Sequence, residues 1–82
     1  MITVLLLGPL KLLVPSGTET LSWAAGTTDE LLQLLQARGP DWAHALNPQR
    51  GLRLAVNRQL LHAAADIHPG DEVALVPPVT GG

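Results

Sequence analysis

Few side chains in this 82-residue sequence have the chemistry for catalysis, and their spacing does not assemble them. The histidines, His44, His62 and His68, lack the near-neighbour pairing of a metal site and read as ordinary surface or core residues. Cysteine is absent, which removes disulfides, thiolate–zinc sites and a thiol nucleophile, and suits a reducing cytoplasm. Ser16 and Ser22 are the only serines, and neither lies in a Gly-x-Ser-x-Gly elbow. Asp66, Asp71 and Glu72 suggest a cation site or a carboxylate pair, but a solvated loop and strand edge account for them equally well. The glycines at 8, 17, 26, 39, 51 and 70 are isolated, so no phosphate-cradling loop is present.

The remaining reactive group is the main-chain carboxylate of Gly82. It ends the segment Pro77-Pro78-Val79-Thr80-Gly81-Gly82, whose composition departs from the rest of the chain. Pro77 and Pro78 fix φ and favour a stiff, extended arm. The β-branched Val79 and Thr80 favour extension as well. Gly81 and Gly82 carry no side chain, so this end fits a channel only as wide as the backbone. Six extended residues reach roughly 20 Å, enough to carry a carboxylate into another protein's active site. A terminal Gly-Gly is more often a frayed end or a linker scar. Two prolines and two β-branched residues directly after a strand weaken that reading.

Something must hold such an arm. Ile2–Leu7 is a short aliphatic run stopped by Gly8-Pro9, which predicts a buried strand. Leu10–Val14 suggests a helical turn, and Thr18–Trp23 a second strand paired with the first. Thr27 and Glu30 have capping-box spacing and open the main helix, with Leu31, Leu32, Leu34 and Leu35 as its apolar stripe. Gly39 and Pro40 are expected to stop it, and Asp41 to cap a brief second helix through Leu46. Leu52, Leu54 and Val56 alternate with Arg53, Ala55 and Asn57 in a further strand. Asn57-Arg58 is a tight turn into a short return strand at Gln59–His62. Ala63–Asp71 reads as a loop before the last strand, Glu72–Val76.

This order implies an α+β domain over residues 1–76, a mixed sheet packed against one main helix, followed by a flexible tail at 77–82. It is the element order of the β-grasp, or ubiquitin-like, fold, in which the final strand is central. A chain this short holds one core and buries roughly 60–65% of its unfolded surface. Hydrophobic residues make up 46% of it and charged ones 15%, a globular balance. Net charge is −2, and Lys11, Arg38, Arg50, Arg53 and Arg58 form no basic stripe, which argues against nucleic-acid or anionic-membrane partners. The apolar start lacks a basic flank and is too short to span a bilayer. So much aliphatic content implies an exposed apolar patch beside the tail, for which Leu75, Val76, Pro77 and Val79 are candidates, with Leu60 and Leu61 on the return strand. Leu75 either faces a partner or, by alternation with Val73, joins the core.

From end to end the chain resembles the small subunits of molybdopterin synthase, the MoaD-type ubiquitin-like sulfur carriers. The resemblance rests on Gly70-Asp71-Glu72-Val73-Ala74-Leu75-Val76-Pro77-Pro78-Val79-Thr80-Gly81-Gly82, on Ala55-Val56-Asn57 and on the Ile2–Leu7 strand. Members of that family often carry aromatic residues on the last strand. Leu75 and Val76 stand there instead, and the chain has no Phe or Tyr.

The resemblance implies that Gly82 is the working residue and that this chain binds no cofactor itself. A ubiquitin-activating-like adenylyltransferase would use ATP to adenylate the carboxylate, and sulfur from a persulfide would replace AMP to leave a thiocarboxylate. The tail, through Pro77, Pro78, Val79, Thr80 and Gly81, would then enter the large synthase subunit and donate sulfur to cyclic pyranopterin monophosphate. The family pattern implies a cytoplasmic heterotetramer, with catalytic side chains on the large subunit. A carrier for thiamine or another pathway, a protein modifier, and a structural module with an inert tail are the competing readings.

Overall fold

The computed structural model describes residues 1–78. Its first strand, β1 (Ile2–Leu6), turns Ile2, Val4 and Leu6 to one side, where each is only 1% exposed. A 3-10 turn at Gly8–Leu12 buries Leu10 and leads to β2 (Thr18–Leu21), antiparallel to β1 with Ile2 opposite Leu21. The helical turn and the strand pairing expected for this stretch are both present. A two-residue strand, β3 (Gly26–Thr27), precedes helix α1 (Thr28–Gln36).

The capping box forms as its spacing dictates. The Thr27 hydroxyl accepts from the Glu30 amide at 3.2 Å, and the Glu30 carboxylate accepts from the Thr27 amide at 2.9 Å. Two otherwise orphaned donors of the first turn are thereby satisfied. Leu31, Leu32 and Leu35 are buried, but Leu34 is 51% exposed. The apolar stripe is thus narrower than four leucines, because Leu34 lies off the arc facing the sheet.

Gly39 does not close α1. It stands at the N-terminus of a second helix, α2 (Pro40–Ala45), whose first turn contains Asp41 without a side-chain cap. Trp42 is half-buried and packs against the core, and Leu46 is fully buried. The guanidinium of Arg38 stacks 4.6 Å from the Trp42 ring and pairs in two-pronged fashion with the Glu19 carboxylate. This ties the end of α1 to β2.

After a 3-10 turn at Pro48–Arg50 come β4 (Arg53–Val56) and β5 (Gln59–Leu60), joined through Asn57 and Arg58 at φ 51° and 70°. Two successive positive φ values are those of a type I′ hairpin turn. A third two-residue strand, β6 (Asp66–Ile67), pairs antiparallel with β3 in the segment expected to be loop. The last strand is β7 (Glu72–Val76).

The main sheet runs β2-β1-β7-β4-β5. β7 is central, parallel to β1 and antiparallel to β4. One sheet face carries Ile2, Val4, Leu6, Val73, Leu75 and Leu54, and these form a single core with Leu31, Leu35 and Leu46. The architecture is a β-grasp, and both the main helix and the brief second helix expected after Pro40 are present.

The base of β7 is fastened by polar bonds. Asp71 accepts from the His68 amide at 2.8 Å and the Asn57 side chain at 3.0 Å, and Asn57 accepts from the Glu72 amide at 2.9 Å. The His68 amide, then Asn57, holds the Asp71 carboxyl below its ordinary value of 3.8. Arg38 does the same for Glu19, whose ordinary value is 4.5. Both groups therefore favour the fold when ionised. In acid the unfolded chain takes up protons first, so stability is lost as pH falls from the ordinary carboxylate range through the lower folded values. Melting temperatures measured from pH 7 to 3 should be level at first and then fall. A Glu19→Gln/Asp71→Asn double variant should show a shallower fall.

Candidate functional site

Because β7 is the middle strand, the chain after Val76 leaves the sheet between two neighbours rather than from an edge. On one side Leu6 lies opposite Leu75, and on the other Arg53 lies opposite Val76. Pro77 is half-buried and Pro78 exposed. Val79, Thr80, Gly81 and Gly82, named from the sequence as the tail and its reactive end, lie outside the described residues.

The sheet face away from the helices is apolar close to this exit. Leu5, Ala74, Ala55 and Leu60 form one cross-strand row over β1, β7, β4 and β5. Val76 is next to Arg53 in the row nearer the exit, and Leu7 continues the alternation of β1 towards it. Leu60 is 47% exposed and Leu7 38%, while Leu5 and Val76 are half-buried. Both helices pack on the opposite face, so no element of the described chain covers these side chains. A bare sheet face that is apolar close to the exit of the last strand fits protein–protein contact.

Two of the predicted contact residues are therefore well placed, Val76 and Leu60. Two are not. Leu75 is 0% exposed: it alternates with Val76, faces α1 and belongs to the core. Leu61 turns the other way from Leu60 and lines a groove of about 370 Å³ with Thr28, Asp29, Leu32 and Leu52, away from the bare face. Leu5 and Leu7 were missed. Their signal is in the sequence, because the run is aliphatic at Ile2, Val4 and Leu6 on one face and again at Leu5 and Leu7 on the other, while one helix layer covers only one face.

The histidines stay apart. His44 contacts Arg50, His62 lies 3.2 Å from Arg53, and His68 lies 3.7 Å from the Asp71 carboxylate. Among the described residues no group of three His, Asp or Glu side chains could hold a metal ion, and no helix is long and apolar enough to cross a membrane.

Comparison with known proteins agrees with this geometry. The chain is 40% identical over 84 aligned positions to the molybdopterin synthase sulfur carrier subunit of Escherichia coli (strain K12), with all of both chains covered. It is 38% identical over 56 positions to the protein of the same name from Haemophilus influenzae, covering 68% of each chain. The sequence model of the ThiS family matches residues 4–82, a span running from β1 through the Gly-Gly end. With nearly its whole length matched and a full-length relative at this identity, the chain belongs to the ThiS family.

Proposed function

We propose that this protein is a sulfur carrier subunit of a molybdopterin synthase and that the carboxyl group of Gly82 carries the sulfur. The observation that bears most weight is the full-length similarity to a subunit of that name, together with a central strand whose exit at Val76 and Pro77 lies beside exposed apolar side chains.

A carboxylate is a poor acyl electrophile, so it needs activation. The Gly82 carboxylate attacks the α-phosphorus of ATP on an adenylyltransferase, releasing pyrophosphate and forming an acyl-adenylate. A persulfide sulfur attacks the acyl carbon and expels AMP, and a thiol reduces the resulting acyl disulfide to a thiocarboxylate. That sulfur then attacks an oxygen-bearing side-chain carbon of cyclic pyranopterin monophosphate on the large subunit. The carbon–oxygen bond breaks as the oxygen leaves with phosphate or as water, so that carrier and pterin are joined through a thioester. Water hydrolyses the resulting thioester, leaving sulfur on the pterin and returning the carboxylate. Two such donations make the dithiolene. The chain itself needs no catalytic side chain, only a seat for its partners and a slim, accessible end.

Leu5, Leu7, Leu60 and Val76 serve as the seat on the large subunit. Leu7→Arg or Val76→Glu should weaken the complex by about 10–100-fold in Kd, since desolvated apolar anchors dominate such interfaces. The fold should persist, because neither side chain is in the core. Titration calorimetry against the large subunit, with melting curves alongside, checks both statements. Light scattering of the wild-type mixture should give the mass of a heterotetramer. Absence of any complex at tens of micromolar would favour a carrier of the thiamine type. The carrier step is tested by intact mass: incubation with ATP, adenylyltransferase and persulfide donor should exchange one oxygen for sulfur at Gly82.

A further inference from the structure

The exit of β7 has glycine on both flanks. Continuing the parallel register of Leu6 with Leu75 brings Gly8 alongside Pro77, and continuing the antiparallel register of Arg53 with Val76 brings Gly51 alongside Pro78. The packing agrees. A methyl group on Gly8 would lie 3.4 Å from Pro77 Cγ. A methyl group on Gly51 would lie 2.9 Å from Pro78 Cβ, with Pro78 Cα at 3.9 Å behind it.

The second contact is the demanding one. Carbon atoms pack at about 3.5–4.0 Å, so 2.9 Å requires one side to move by roughly 0.5–1 Å. Gly51 is poorly placed to yield, because its amide donates to Pro48 O at 3.0 Å and the next residue, Leu52, is buried. Pro78 Cβ belongs to a rigid ring one bond from the main chain, so displacing it displaces the backbone that leads to Gly82.

We propose that Gly51, with Gly8 opposite, is a positioning residue: the two form a notch that seats Pro77 and Pro78 and aims the last four residues at the partner's active site. This rests on the reading that Gly82 is the reacting end. Gly51 and Pro78 neither belong to the apolar seat nor adjoin its residues in the chain, so a change at Gly51 acts on delivery of the end rather than on docking. A misplacement of about 1 Å at reacting atoms is enough to reduce turnover by up to 10²-fold.

The test uses full-length chain carrying a C-terminal thiocarboxylate made by semisynthesis, mixed with the large subunit and cyclic pyranopterin monophosphate. Gly51→Ala should lower kcat by about tenfold with KM for the carrier within twofold. Gly70→Ala is the control for backbone strain. Its φ of 92° nearly equals the 95° of Gly51, but nothing lies within 4 Å of the added methyl, and Gly70 is at the opposite end of β7. It should lower the melting temperature comparably and leave kcat and KM unchanged when assayed well below the melt. Pro78→Gly removes the clashing carbon, so adding Gly51→Ala to it should change kcat less than twofold. Equal kcat for the two alanine variants overturns the notch, as does an undiminished Gly51→Ala effect in the Pro78→Gly background. A wild-type thiocarboxylate that yields no product overturns the carrier reading itself, and the notch with it.

Discussion

Deleting Gly82 is expected to reduce sulfur transfer by at least 10²-fold while leaving the melting temperature within a degree or two of wild type. The loss follows from reach. One residue fewer withdraws the acyl carbon by roughly 3.5 Å, more than the tolerance of a reacting pair held about 3–3.5 Å apart. A chain extended beyond Gly82 should fail equally, because its terminal carboxylate is displaced and the Gly82 carbonyl is an unactivated amide. Gly81→Ala tests a different part of the idea by adding a Cβ where the backbone is expected to thread a channel. It should reduce activation or transfer and spare the fold. Product formation by an extended, unprocessed chain would rule out the terminal carboxylate as the site. Normal turnover with a bulky residue at 81 would remove only the channel.

The largest effect on stability is expected at Leu35. Its side chain is 1% exposed, on the face of α1 turned to Ile2, Val4, Leu6 and Leu75. Leu35→Ala removes buried methyl groups and leaves a cavity, costing about 2–5 kcal/mol. A domain of this size has roughly 4–12 kcal/mol in total. At about 4–8 °C per kcal/mol, the melting temperature should fall by 10 °C or more. Leu34→Asp, one residue away, should lose only about 1 kcal/mol, because a half-exposed side chain forfeits little burial and Asp has a modestly poorer helix propensity. Urea melts of the two variants separate these outcomes. Comparable losses would contradict the orientation of α1.

Local chemistry makes much of this protein legible in its sequence. Thr27 and Glu30 cap α1 because a hydroxyl and a carboxylate three residues apart can only satisfy those amides in a helix's first turn. Asn57 and Arg58 form their turn because the two-residue link between alternating strands demands positive φ. The order of the larger elements, and the Gly-Gly end after the last strand, are properties of the chain alone. What the sequence did not carry was orientation and neighbourhood. Leu34 and Leu35 have the same side chain on the same helix, and only the angle at which α1 meets the sheet sends one to water. Leu75 and Val76 are both aliphatic, and only the helix layer over one face makes the first core and the second surface. β3 and β6 are two residues each, too short for alternation, and exist because the fold brings Gly26 opposite Ile67. Gly51 and Pro78 are 27 positions apart, so their contact depends on the β4–β7 register, which long-range pairing alone decides.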